Sequence, residues 1–361
     1  MKIKQDIILL FSSVLLFLAC KQPTSFRDGI ISEEFLFDSA EFPSCHAATI
    51  AETPGGLVVA FFGGTYERHP DVCIYVSRQE NGIWIAPEIV AHGIINDTLR
   101  YPTWNPVLFQ VPGRDLWLFY KVGPSPSAWQ GMIMRSKDNG KSWSKPDSLP
   151  EGFIGPVKNK PVLLDGNNLL CPSSTEKDGW KIHFERTRDD GRTWEKSDPI
   201  NDGKIYNAIQ PCILKHKDGR LQILCRSKNC MILESWSVDD GKTWSLLKES
   251  ALPNNNSGID AVSLADGRQL LVYNHVKTPM NATKGYRTPL NVSVSKDGKE
   301  WYAALVLEDS EIGQYSYPSV IQSVDDMVHI VYTWRREKIK YIKVNPKKLT
   351  TKKIINLKWP E

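Results

Sequence analysis

Apolar positions along this chain fall in short runs of five to ten residues, rich in Val, Ile, Leu, Phe and Tyr and separated by Asp-Gly and Pro-Gly turns. The segments "PVLFQVPGRDLWLFYKV", "QPCILKHKDGRLQILCRS" and "YPSVIQSVDDMVHIVYTW" each set two such runs around a tight turn. Short runs of this composition bounded by Asp and Gly read as antiparallel hairpins. From residue 41 onward no run sustains the period of a helix, so the pattern predicts an all-β chain.

The hairpins recur in a larger unit. "SKDNGKSWS" at 136–144, "TRDDGRTWE" at 187–195 and "SVDDGKTWS" at 237–245 share one spacing from Ser/Thr through Asp and Gly to Trp. Degenerate copies end at Trp84 ("SRQENGIW") and Trp301 ("SKDGKEW"). Successive tryptophans are therefore 59, 51, 50 and 57 residues apart. A period near 50 residues with four short strands per unit is that of a propeller blade. Residues 44–350 accommodate six, which predicts a six-bladed β-propeller over 41–361, preceded by a tether at 20–40. In each repeat the Asp and Ser/Thr side chains can bond main-chain N–H groups of a tight turn while Gly takes the positive φ. The indole is then expected to cover the hairpin end and pack between blades.

Composition adds limits rather than a function. With 41% hydrophobic and 24% charged residues the chain is ordinary globular material, and a formal charge of +4 over 361 residues makes no case for nucleic acid. Lys2 and Lys4 precede an apolar stretch at 7–18, too short to span a bilayer, and "FLAC" follows. This resembles a bacterial lipoprotein signal at 1–19, with Cys20 as the lipidated first residue of the mature chain; an ordinary secretory signal is the alternative. Either implies export, with the lipid as the one membrane contact. Of the other cysteines, Cys73, Cys171, Cys212 and Cys225 lie in apolar runs, so buried thiols are expected rather than a disulfide framework. No residues have metal-ligand spacing, no cofactor is implied, and a monomer is expected.

A propeller gathers polar groups at one end of its axis, where the inner strands begin and the second strands end. Those positions read His46 in "SCHAAT", Asn105 in "TWNPVLF", Lys160 in "KNKPVLL", Gln210 in "AIQPCIL", Asp260 in "GIDAVSL" and Tyr315 and Tyr317 in "YSYPSVI". The loop "GGTYERHPD" adds Glu67, Arg68 and Asp71, and "CRS" adds Arg226. Taken as a ring, these residues point to a site.

The repeated turns are similar to the Asp boxes of sialidases, and the resemblance runs through essentially the whole mature chain. It is with the broad bacterial group of sialidase-like, predicted neuraminidases. In such proteins the boxes lie on the rim, away from the catalytic face. "WNPVLFQ" resembles the Asn-Pro strand of the second sialidase blade. By their distance before Ser237 and Ser295, Arg226 and Arg287 match two arginines of the triad that clamps a substrate carboxylate. The same resemblance implies Tyr315 as the tyrosine nucleophile and Asp71, or else Glu67, as the acid/base. The chain departs at two places: Cys45 and His46 stand where the first arginine is expected, and Gln210 where the tyrosine's glutamate partner is expected. A tyrosine without a carboxylate neighbour lacks a base at neutral pH.

Three functions are compatible with these residues. An exo-acting glycoside hydrolase would hold an acidic sugar on Arg226 and Arg287, protonate the leaving oxygen from Asp71 or Glu67, and place Tyr315 at the anomeric carbon. A polysaccharide lyase would use His46, Tyr315 and the arginines for elimination at a uronate. A non-catalytic glycan-binding lipoprotein would stack sugars on Trp104, Trp129 and Trp334.

Overall fold

A computed structural model describes residues 26–361; the leader at 1–19 and Cys20 lie outside the described residues. The chain forms six antiparallel sheets of four or five strands. Their innermost strands are Ser44–Thr53, Thr103–Gln110, Val162–Leu163, Ala208–Lys215, Asp260–Ser263 and Tyr315–Gln322. The first packs against both the second and the last, so the ring is closed. Its only helical element among the described residues is a three-residue 3-10 turn at Pro346–Lys348.

Closure departs from the sequence expectation at the N-terminus. Residues of the expected tether form the strand Ile30–Phe35, which pairs with Lys338–Val344 as the outermost strand of blade six. The basic C-terminal segment at 343–354 is tied into the sheets and ends as a short strand at the edge of blade five. Lys338–Val344 is covered by that N-terminal strand, and Lys352–Lys353 adds a fifth strand to blade five through Tyr302 and Ala303. A row of unpaired backbone groups is costly in one place and prone to pairing in another, so each edge takes the nearest chain terminus.

The three full repeats lie between third and fourth strands of blades two, three and four. In each, the Ser/Thr hydroxyl accepts the glycine N–H: Gly140 to Ser136 at 2.8 Å, Gly191 to Thr187 at 2.8 Å, Gly241 to Ser237 at 2.9 Å. The Asp carboxylate accepts both the N–H and the hydroxyl of the residue four on, as Asp189 does from Thr193 at 2.8 and 2.7 Å. These donors hold Asp138 and Asp239 down at about 2. The turn needs two positive φ values: glycine supplies one, and Asn139, Asp190 or Asp240 supplies the other (φ 61, 62 and 59°). Asn and Asp tolerate that region better than other side chains.

Each indole packs on the preceding blade. Trp194 meets Phe119 and Phe153, Trp244 stacks on Phe184 at 4.5 Å, and Trp301 is buried among residues of blades four and five. Cys45, Cys73, Cys171, Cys212 and Cys225 are buried free thiols, and Cys230 is a half-buried one.

Candidate functional site

Four inner strands carry the same defect near their first residues. Register slips between His46 and Thr49, Trp104 and Val107, Ile209 and Cys212, and Ser316 and Ser319. At each slip a non-glycine residue has positive φ: Ala47 (58°), Asn105 (33°), Gln210 (55°) and Tyr317 (53°). A β-bulge re-aims the side chains around it and is found where function needs it. Here it brings one position from each of several blades to the same mouth of the ring.

Tyr317 is at the centre of what results. Its Oη accepts from Arg226 Nη1 at 2.9 Å and from Gln210 Nε2 at 3.1 Å. Its ring has Lys158, Arg226 and Arg287 within 5.7–5.9 Å of its centroid, and the His46 ring lies against it at 4.2 Å. The glycine at 258 permits this crowding: a Cβ there would stand 3.0 Å from Lys158 Cε, 3.2 Å from Tyr317 Cδ2 and 3.3 Å from Gln210 Oε1.

Arg226 is fixed on three sides. Nη1 also reaches Gln210 Oε1 at 3.3 Å, Nε donates to Asn256 Oδ1 at 3.1 Å, and the guanidinium lies over Trp180 at 5.0 Å. Arg287 donates from Nη1 to Ser316 Oγ at 3.2 Å, and burial followed by the charge of Arg226 brings it down to about 10. Lys158 is buried and donates to Asn159 Oδ1, Ile259 O and Pro318 O at 2.7–2.9 Å; burial lowers it to about 8. His46 is buried, with Nδ1 paired to Thr333 Oγ1 at 2.8 Å. Burial, then Arg336, Arg287, Arg226 and Lys158, hold it well below the ordinary imidazole range, so it is neutral at pH 7. Four cations around one imidazole define a strongly positive pocket.

The structure thus brings together His46, Gln210, Arg226, Arg287 and Tyr317, with Glu67 beside them on Arg336 at 2.8 Å. It does not bring in the rest as expected. Tyr315, cast as the nucleophile, is 1% exposed in the core between blades five and six, 6.4 Å from the Trp334 ring. Its main chain clamps Arg287 instead, Tyr315 N donating to Arg287 O at 2.8 Å. Tyr317, not Tyr315, stands beside Arg226 and Gln210. The signal was in the sequence: Tyr317, like Asn105 and Gln210, directly precedes a proline.

Lys160 and Asp260 form a cross-axis pair, Nζ to Oδ2 at 2.5 Å, further held by Ser319 Oγ at 2.9 Å and Val320 N at 2.8 Å. They line a mainly apolar cavity of about 400 Å³ that includes Ile50, Leu108, Ile213 and Ile321. Those residues lie further along the inner strands, so this cavity belongs to the far end of the axis, and the pair ties blades rather than lining the arginine site.

A proton donor at Asp71 calls for a raised pKa. Burial does push it up, but hydrogen bonds from Thr65 N and Oγ1 and from His69 outweigh that, and it lies below the ordinary carboxylate range. Arg68 is exposed in the same loop at φ 85° and joins no cluster. Asn105 is buried and makes no side-chain hydrogen bond among the described residues. Trp104 and Trp129 meet edge-to-face at 5.9 Å, and Trp104 is 2% exposed, which removes it as a sugar platform. Trp334 is packed between Phe35 and the Arg335 guanidinium. The residues that sequence reading missed are Lys158, Trp180, Asn256 and Arg336.

Comparison with known proteins fits this architecture. A family model described as a BNR repeat-like domain matches residues 55–330. The anhydrosialidase of Macrobdella decora is 26% identical, over 56% of this chain and 30% of that protein, so the chain spans under a third of the curated relative's length. The NanB sialidase of Streptococcus pneumoniae superposes with a TM-score of 0.66 at 14% identity, covering 88% of this chain and 71% of that one. The α-L-arabinanase of Penicillium chrysogenum does so at 0.65 and 14%, covering 89% and 99%. Such identities show a shared fold, and that fold hosts more than one sugar chemistry. With the repeats, the closed ring of six blades and a family match across three quarters of its length, the chain belongs to the BNR repeat-like family and has the sialidase-like six-bladed propeller fold.

Proposed function

We propose that the protein is an exo-acting glycoside hydrolase that removes a terminal acidic sugar from a glycan. The observation that carries this reading is the convergence of Arg226 and Arg287 on Tyr317 in a pocket where cations outnumber carboxylates. Arg226 Nη2 and the Nε and Nη2 atoms of Arg287 have no protein partner among the described residues and are available to a sugar carboxylate. Guanidinium groups take a carboxylate through paired N–H donors, and partial desolvation strengthens the pairing.

With the carboxylate there, Tyr317 Oη faces the anomeric centre, where positive charge develops. The loop 65–71 supplies the acid/base carboxylate. Asp71 is ionised in the open site and becomes a proton donor as the bound sugar strips its water and raises its pKa. The repeated turns serve as Asp boxes in the scaffold. The leader and Cys20 export the chain and anchor it to the bacterial envelope; replacing Cys20 by Ser should release it from the membrane fraction.

One observation favours elimination at a uronate as a second reading. Both groups on Tyr317 Oη, a guanidinium and an amide, are donors and neither is a base. Digestion of sialylated and uronate-containing glycans separates the two. Hydrolysis gives a reducing sugar without new ultraviolet absorbance, and elimination gives a conjugated unsaturated uronate. Tyr317→Phe should abolish turnover, whereas Tyr315→Phe, which keeps the core packing, should leave it near wild type. Arg226→Ala should lower catalytic efficiency on the acidic substrate by roughly one to two decades. Equal loss on a neutral analogue would overturn the carboxylate assignment.

A further inference from the structure

The second and third strands of blade six are joined by the turn Trp334-Arg335-Arg336-Glu337, closed by Glu337 N donating to Trp334 O at 3.0 Å. Both central residues are left-handed, Arg335 at φ 55° and Arg336 at φ 67°. Turns of this kind are the province of Asn-Gly and Gly-Gly, because a Cβ is strained there. Two consecutive arginines in such a turn need a reason, and strain of this sort is held where function uses it.

The two side chains diverge. Arg335 is exposed and lies over the Trp334 ring at 4.4 Å. Arg336 is half-buried, donates from Nη1 to Glu67 Oε2 at 2.8 Å, and is the charge that most strongly lowers buried His46. It also acts on Arg287. Its main-chain oxygen accepts from Cys45 N at 2.7 Å, which pins the turn to the first residues of blade one's inner strand. The guanidinium is thus set at the seam between the last blade and the first, where His46 occupies the position from which the sequence led one to expect an arginine.

We propose that Arg336 is a specificity-determining third contact for the anionic group of the substrate, supplied by blade six and aimed by Glu67. Glu67 engages one of the five N–H donors of this guanidinium, so the others are available to a ligand. The inference rests on the acidic-sugar reading above.

A matched pair of variants tests it. Arg335→Gly and Arg336→Gly both relieve a left-handed Cβ and keep the Cys45 hydrogen bond, so neither should lower the melting temperature. Binding is measured by calorimetry with N-acetylneuraminic acid, D-glucuronic acid and the methyl ester of each. Arg336→Gly should weaken whichever free acid binds by roughly tenfold to a hundredfold and leave its ester unchanged. Arg335→Gly should leave both unchanged. A lowered melting temperature with unaltered acid binding in Arg336→Gly would make the residue structural and overturn the proposal. Weakening by Arg226→Ala but not by Arg336→Gly overturns this inference alone. Wild-type protein that does not prefer acid over ester overturns the acidic-sugar reading as well.

Discussion

Lys121 is a cation with no exposed surface. Its Nζ donates to Pro156 O and reaches Asn105 O at 3.5 Å, joining blade two to the segment that enters blade three. Burial brings it down to about 7, against an opposing pull from Glu185. A lysine whose folded pKa lies below its unfolded value of 10.5 is penalised wherever the unfolded chain holds a proton that the folded one resists. That penalty is full below about pH 7 and fades as pH rises to 10.5. Relative to wild type, Lys121→Met should therefore look best at pH 6 and lose that advantage by pH 10, a change on the order of a few kcal/mol. Denaturant unfolding of both proteins at the two pH values measures it, and a pH-independent difference would mean that Lys121 is solvated. Single residues were also where the sequence was hardest to read. Arg226, Arg287 and Gln210 were legible because each stands at a fixed distance from a turn or a proline. Lys158 and Arg336 were not, because a buried lysine and a strained turn are defined by neighbours 101 and 269 residues away.

At the scale of the element, the repeated turn was almost wholly legible, since its hydrogen bonds run among residues no more than four apart. What local spacing could not give was the target of the indole, which belongs to another blade. Trp194 donates from Nε1 to Gly191 O at 3.0 Å, fixing the ring to its own turn, and spends its faces on Phe119 and Phe153. It is half-buried rather than sealed. Trp194→Ala should cost about 2–4 kcal/mol through lost packing between blades two and three. Turnover per folded molecule should not change, because the turn lies between third and fourth strands and the site at the head of the inner ones. Chemical unfolding combined with activity normalised to folded protein checks both halves. A fully folded variant with lost activity would show that the turn reaches the site.

At the scale of the whole molecule, the first described strand completes the last blade. Ile30–Phe35 pairs with Lys340–Val344 with one bulge between Ile30 and Ser32, Leu36 N donates to Ile339 O at 3.0 Å, and Asn345 N donates to Gly29 O at 2.7 Å. Glu33 adds an ion pair to Lys340 at 3.0 Å. The periodicity of the chain counted six blades but could not show that the sixth borrows a strand from the other terminus, because one six-residue run carries no repeat of its own. The closure has a functional consequence. Tyr317 and Arg336 come from blade six and His46 from blade one, so the pocket straddles the seam that this strand fastens. Removing residues 1–28 should leave cooperative unfolding intact, since every rung from Ile30 survives. Removing residues 1–36 takes away that strand and bares Lys338–Val344 as an unpaired edge. That protein should lose the single cooperative transition, associate at micromolar concentration, and lose binding of the acidic sugar even where blades two to five keep their secondary structure. Circular dichroism melts and light scattering on the two truncations decide the matter. A monomeric, cooperatively folding product of the longer truncation would mean that contacts between inner strands close the ring without the terminal strand.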